Sequence, residues 1–272
     1  MIEQLKKRYN ASLFEPSWFG LLFNPYYIIR KGLYVHVKKH SAALSGHLMD
    51  FGSGSKPYRK LFHVEHYIGV DIETSGHDHS KEEIDVYYDG KTIPFADHTF
   101  DSVFSSEVFE HIFNLDEILT EIHRVMKPGA RMLITIPFVW DEHEIPYDFA
   151  RYTSFGAEHI LKGKGFRILE REKTTPYVST LFQMWNAYVY QHLFPKHKTA
   201  RILLTPLFIT PITLLGLFLS ALLPKNYNFY HNNIFLVEKP KLSLMEEVID
   251  EGAQKLPNLH PYLKSSESLH ER

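Results

Sequence analysis

Asp50, Gly52 and Gly54 stand where an apolar run, Leu48-Met49-Asp50-Phe51, gives way to Ser55-Lys56-Pro57. Glycines at such a junction let the backbone approach a ligand that a Cβ would repel. Free amides at the start of a following helix can then meet an anionic group. Asp71 lies 21 positions beyond Asp50 and closes a second apolar run, Tyr67-Ile68-Gly69-Val70-Asp71-Ile72. A carboxylate in that place can accept hydrogen bonds from ribose hydroxyls, as in dinucleotide folds. The combination predicts a nucleotide-type site; the alternative is a tight turn that happens to use two glycines. Further along, Glu107, Glu110 and His111 follow one short apolar run, and His143, Glu144, Asp148 and Arg151 follow another. Histidine titrates near neutrality and suits removal of a proton from an acceptor, so His111 and His143 are candidate bases, with Glu144 and Asp148 behind them. Asp148 and Arg151 can pair, either to order a loop or to grip a polar or anionic acceptor.

These groups need a frame that brings them to one place. Residues 47–51, 66–72, 84–88, 101–105 and 131–137 are short and rich in Ile, Val, Tyr and Phe, which predicts strands. Residues 56–62, 115–126 and 154–163 read as helices between them, the second closed by Lys127-Pro128-Gly129. Strands at 166–173 and 233–237 follow. The alternation predicts an α/β fold: a Rossmann-like, seven-stranded, mostly parallel sheet with helices on both faces. Ligands of open α/β sheets lie beyond the carboxyl ends of the strands, which would gather all four polar groups around one crevice. The expected organisation is a helical, aromatic extension at 1–45 and the main domain at 46–177 plus 229–240. An apolar helical insertion at 178–228 and a polar tail at 241–272, with a short helix-like stretch at 244–249, complete it.

Composition narrows the field. The formal charge of -2 offers no basic footprint for nucleic acid. Cys is absent, so disulfides and thiolate metal sites are excluded. His77-Asp78-His79 and His63-x-x-His66 have spacings a metal accepts, but neither has a third ligand at a convincing interval, so no metal is expected. There is no Gly-x-Ser-x-Gly elbow and no Walker loop, which sets aside hydrolase and phosphoryl-transfer chemistry. The basic start, Lys6-Lys7-Arg8, has no apolar run behind it, so no secretory signal is expected.

An NAD enzyme would want a third glycine where Pro57 stands. Asp50 before Gly52 and Gly54 instead resembles motif I of class I S-adenosylmethionine-dependent methyltransferases, with Lys56 where a third glycine is common. Tyr88-Asp89-Gly90 followed by Ile93-Pro94-Phe95, Ser105-Ser106-Glu107-Val108-Phe109-Glu110-His111, and Arg124-Val125-Met126-Lys127-Pro128-Gly129 extend the resemblance over residues 47–170. It implies S-adenosylmethionine as cofactor. Asp50, Gly52 and Gly54 would hold its amino-acid end, with Lys56 or Arg59 able to add charge there. Asp71 and Ile72 would lie at its ribose, Asp89 or the backbone beside it at its adenine, and Glu107 beside its sulfonium. Gly52 to Arg59 together with His143-Glu144, Asp148 and Arg151-Tyr152-Thr153 further resembles a subgroup associated with bacterial surface polysaccharide and glycolipid pathways.

Two uncharged runs separate the last two strands, 178–195 and 202–224, the second long enough to span a bilayer by count. Strands of one sheet flank them, so the chain must return to the side it left. Lys196, Lys198, Arg201 and Lys225 suit a cytoplasmic membrane surface; burial in the fold or in a dimer is the other expectation. The expected activity is O-methylation of a saccharide or lipid-linked acceptor by a cytoplasmic, peripheral enzyme. The alternatives are methylation of a lipophilic quinone or phenol, and a cofactor-binding docking module without turnover.

Overall fold

A computed structural model gives the architecture and describes residues 9–73 and 84–241. Seven strands form one sheet: β1 (His47–Phe51), β2 (His66–Ile72), β3 (Val86–Tyr88), β4 (Phe100–Ser106), β5 (Met126–Pro137), β6 (Arg167–Lys173) and β7 (Asn232–Glu238). Their order is β3-β2-β1-β4-β5-β7-β6. The first five are parallel, and β7 runs antiparallel to both neighbours. The order reverses at β1, which pairs with β2 on one side and β4 on the other, so a crevice opens at their carboxyl ends.

Successive strand residues point to opposite faces, and both faces are apolar. Met49, Val103 and Ile134 go to one core, and Leu48, Phe104 and Leu133 to the other. The first core is covered by α3 (Leu115–Val125), which buries Ile118, Leu119 and Ile122 on one side. The second is covered from the amino-terminal segment. α2 (Tyr27–Ser41) lays Ile29, Leu33 and Val37 on Leu48, Phe104, Leu133 and Ile234. Each such side chain contributes about 1.5–3 kcal/mol on burial, so α2 is a layer of the sheet's own core.

Three local expectations are corrected. Residues 56–62 form only a 3₁₀ turn at Arg59–Leu61, because Lys56 has φ 52° and a helix cannot run through a left-handed residue. β3 begins at Val86 rather than 84, since the Asp85 carboxylate takes the Gly69 amide at 2.6 Å. Lys127-Pro128-Gly129 opens β5 instead of capping α3; Gly129, at φ 84°, donates its amide to Lys239 O at 2.7 Å. The stretch at 244–249 and His77-Asp78-His79 lie outside the described residues.

The two apolar runs form α5 (Tyr177–Tyr188), a π-helical turn at Val189–Leu193, and α6 (Lys198–Leu222), between β6 and β7. α4 (Ser154–Gly163) precedes β6. α6 packs on α5 and on α1 (Trp18–Phe23). Gly216 admits Phe182, whose Cβ would stand 2.6 Å from any Cβ built there. Polar ties fix the arrangement. Gln183 Oε1 accepts the Ile28 and Ile29 amides at 3.1 and 3.3 Å, and its Nε2 donates to Pro25 O at 3.0 Å. It thereby satisfies donors that the first turn of α2 cannot satisfy itself. Thr210 Oγ1 donates to Leu22 O at 2.9 Å.

Candidate active site

The glycine turn is held from two directions. The Gly52 and Ser53 amides donate to Val70 O at 2.8 and 3.2 Å, and the Gly54 amide donates to Asp71 Oδ2 at 2.8 Å. Gly52 has φ 72°, and a Cβ there would lie 2.3 Å from Val108 Cγ2, so the turn presses on the segment after β4. Behind it, Asp50 is buried and Tyr67 Oη donates to its Oδ2 at 2.5 Å. Burial pushes the Asp50 carboxyl up to about 7, against the Tyr67 hydrogen bond.

A cavity of about 670 Å³ opens over this turn, in the size range of small-molecule sites. Asp50, Gly52, Gly54, Asp71, Ile72 and Glu107 all line it. Asp89 does not. Its exposed carboxylate takes the Lys91 and Thr92 amides at 2.9 and 2.7 Å, capping its own turn, and the backbone of Gly90 forms that wall instead. Asn114 Nδ2 fastens Gly90 O at 3.1 Å. Lys56 and Arg59 also turn away: Lys56 pairs with Asp85 at 2.7 Å, and Arg59 stacks on Tyr67. Among the described residues, the Lys or Arg side chain that lines the cavity is Arg30, from α2, with Tyr26 beside it on the same helix's entry.

At the end of β4, Glu107 has φ 56° and turns its carboxylate inward. Thr135 Oγ1 donates to Oε1 at 2.6 Å and Asn232 Nδ2 donates to Oε2 at 2.5 Å. Burial pushes this carboxyl up to about 7 as well, against those hydrogen bonds. Glu110 is fully buried, and burial and the nearby Glu107 push it well above the usual carboxylate range. The cavity floor is therefore rich in acids that pay for desolvation when ionised, which suits a cationic ligand.

The opposite end holds the predicted proton-handling residues. His111 and His143 line the cavity with ring centroids 4.7 Å apart, edge to face, and Glu144 Oε1 lies 3.4 Å from His111 Nε2. Nδ1 of His111 meets Tyr147 O at 2.6 Å, and burial lowers its pKa. Asp148 and Arg151 come together but do not line the cavity. Arg151 donates both terminal nitrogens to Asp148, at 2.5 and 2.6 Å, and also binds Asp141 O at 2.9 Å. Burial raises the Asp148 carboxyl, but Arg151 and the His143 amide outweigh it and bring it down to about 2. The pair orders the loop that presents His143. Residues that sequence reasoning missed are Arg30, Tyr26 and Asn232, which lie in elements remote in sequence from the motifs; the aromatic density of the lead-in was a signal for the first two, and Asn232, on β7, carried none.

Residues 49–134 match the family described as methyltransferase domain. The chain is 29% identical over 94 residues to phosphoethanolamine N-methyltransferase 2 of Caenorhabditis elegans, covering 31% of this chain and 21% of that protein. It is 39% identical over 46 residues to sterol 4-C-methyltransferase strm-1 of the same organism, covering 17% of this chain and 14% of that protein. The chain thus spans about a fifth and about a seventh of these relatives' lengths. A solved structure of Haemonchus contortus phosphoethanolamine N-methyltransferase 2 in complex with S-adenosyl-L-methionine superimposes with a TM-score of 0.48 at 20% identity. It covers 82% of this chain and 56% of that one. Over residues 49–134 the chain is thus similar to a methyltransferase domain.

Proposed function

We propose that this chain methylates an oxygen of a small acceptor, a saccharide or lipid-linked molecule, held at a membrane surface. The observation that supports it is the division of one cavity between a glycine-turn end and a His111–His143–Glu144 end. The residues fit S-adenosylmethionine as cofactor: Gly52 and Gly54 line the cavity together with Asp50 and Glu107, two acids raised by burial whose ionised forms a cation would stabilise. S-adenosylmethionine, when bound, supplies a methyl group made electrophilic by a positive sulfur.

The chain's own residues then have three tasks. Asp71, pinned by the Gly54 and Ile72 amides at 2.8 Å each, faces the ribose end and fixes the turn. Glu107, clamped by Thr135 and Asn232, sets charge beside the transfer site. The His111–His143–Glu144 cluster receives the acceptor's proton while the cavity walls align its oxygen for in-line attack. Such alignment can supply about 7–11 kcal/mol of the barrier.

The membrane component rests on the insertion. Leu203, Leu207, Phe208, Phe218 and Leu222 on α6, and Leu181, Trp185 and Tyr188 on α5, are exposed large side chains. Apolar patches of that kind mark interaction surfaces rather than ordinary solvent faces. α6 is long and apolar enough to cross a membrane by length and composition. It begins and ends between strands of one sheet, which favours lying on the surface.

A second reading is N-methylation of a phosphorylated amine. It is favoured by Arg30 in the cavity wall, a cation suited to an anionic acceptor, and by the likeness to a phosphoethanolamine methyltransferase. Incubation of the purified protein with isotopically methyl-labelled cofactor and separate pools of glycolipid, free saccharide and phosphorylated amine tests both. Label in the first two pools supports the proposal, and label only in the third supports the second reading. Cofactor binding with no transfer to any pool would make the chain a docking module.

A further inference from the structure

We infer that Glu110, His111 and His143 form a binding site for a divalent transition-metal ion in the zinc–manganese range. Each offers one ligand atom within 4.8 Å of the others. The inference goes beyond methyl transfer and concerns a cluster that sequence spacing could not display, since 110–111 and 143 sit on different strands' loops.

Glu110 is the carboxylate of the cluster. It is fully buried, and neither carboxylate oxygen has a hydrogen-bond partner among the described residues. A buried carboxylate left that way costs several kcal/mol when ionised. Glu107 does not share this condition, because Thr135 and Asn232 satisfy both of its oxygens.

Both imidazoles are oriented through Nδ1. Tyr147 O can only accept, so His111 Nδ1 at 2.6 Å bears the proton and Nε2 of the neutral ring presents a lone pair. That Nε2 is buried without a hydrogen bond and faces Glu110 Oε1 at 3.7 Å and Glu144 Oε1 at 3.4 Å. A lone pair facing two carboxylate oxygens is unfavourable unless a positive charge lies between them. His143 turns its Nδ1 into the loop, 3.2 Å from both Asp148 Oδ2 and Asp141 O and 3.4 Å from the Arg151 guanidinium, so Nε2 is the ring nitrogen left for an ion. Carboxylate- and carbonyl-anchored histidines are the usual second layer around a metal. Arg151, bidentate to Asp148, holds that layer rigid.

Two imidazoles and a carboxylate match zinc, manganese or iron better than magnesium or calcium, which prefer oxygen alone. Ligands about 2.1 Å from a zinc ion stand on the order of 3.4 Å apart. His111 Nε2 and Glu110 Oε1, at 3.7 Å, are already near that, and the three ligand atoms all lie within 4.8 Å of one another, so small side-chain rotations close the rest. His111, His143 and Glu144 line the cavity, so the ion's open positions would face the acceptor. An acceptor oxygen bound there would lose its proton more readily. The two imidazoles would then serve as ligands, leaving Glu144 as the group at hand to take the proton.

The test reads metal uptake alone, without cofactor or acceptor, so it stands apart from methyl transfer. Chelator-stripped chain is titrated calorimetrically with zinc chloride and manganese chloride, and its metal content is counted after dialysis. One ion per chain is expected. Glu110→Gln and His143→Ala should abolish the site, and Asp148→Asn should weaken it by about 10–100-fold. The pair His63→Ala with His66→Ala, remote from the cluster, should change nothing. Should Glu110→Gln fail to fold, the partly exposed His143 decides. No stoichiometric uptake, or uptake unchanged in His143→Ala, would overturn the site and leave Glu110 as a buried acid that keeps its proton.

Discussion

The Gly54 amide donates to Asp71 Oδ2 at 2.8 Å, so a carboxylate that lines the cavity is also the clamp on the glycine turn. The second oxygen takes the Ile72 amide, also at 2.8 Å. One side chain thus joins the ends of β1 and β2. Asp71→Ala should weaken S-adenosylhomocysteine binding by more than a lost ribose contact alone, on the order of 2–4 kcal/mol, because two amides lose their acceptor as well. Asp71→Asn keeps one acceptor oxygen and should fall between. Calorimetry showing equal affinity in all three proteins would remove Asp71 from the site.

Gly52 supports a paired test. Gly52→Ala meets two penalties: a left-handed backbone costing about 1–2 kcal/mol and a collision with Val108 costing about 1–3 kcal/mol. Adding Val108→Ala should recover part of the loss in thermal stability, and only the collision part. Full recovery, or none, would mean that the two penalties are wrongly apportioned.

Asp50 predicts a pH dependence. Its carboxyl is raised from 3.8 to about 7 by burial, so the fold favours the protonated form. The contribution to stability is complete below 3.8 and is lost as pH rises through about 7. The cofactor-free protein should therefore melt at lower temperature in mildly alkaline than in mildly acidic buffer. Asp50→Asn should reduce that slope, leaving the part that Glu107 and Glu110 carry. A cationic ligand favours the ionised carboxylate, so S-adenosylmethionine should stabilise the protein more at the alkaline end. A wild-type slope retained in Asp50→Asn would assign the effect elsewhere.

The insertion predicts binding to anionic vesicles. Lys196, Lys198 and Lys225 are exposed, whereas Arg201 lies over the Tyr190 ring and donates to Pro195 O at 3.0 Å, so it serves the fold instead. Replacing the three lysines with Gln should weaken co-sedimentation by about 1 kcal/mol each and reduce its salt sensitivity. Leu207→Ser with Phe218→Ser should weaken it at every salt concentration. A wild-type protein that ignores anionic vesicles at low salt would refute the membrane surface and point to a protein partner for the same face.

Periodicity made the sheet legible. Six of seven strands lie within a few residues of their expected places, and Asp50, Gly52, Gly54, Asp71 and Glu107 meet at one cavity because strand ends are fixed by the same alternation that marks the strands. What escaped depended on side-chain direction. Asp89 sits at the right strand end, but its carboxylate finds nearer partners in the Lys91 and Thr92 amides. Lys56 has the right charge near the turn, yet its φ of 52° sends it to Asp85. Arg30 belongs to a helix whose seat on the sheet depends on Leu33 and Val37 meeting Leu48 and Phe104, and no local spacing encodes that meeting. The histidine cluster was legible as two separate histidines; their nearness is a property of the fold.

Gln183 has one more meaning, for how this chain could change over time. Its amide group, on α5, completes the first turn of α2, and α2 carries Arg30 into the cavity wall. Deleting the apolar segment to make a shorter, more tractable protein would strand two amides, at about 1–3 kcal/mol each, beneath the very helix that roofs the cavity. The anchor-like segment is therefore not a removable module. Extension and insertion are thus tied to each other, and removing either strands polar groups of the other.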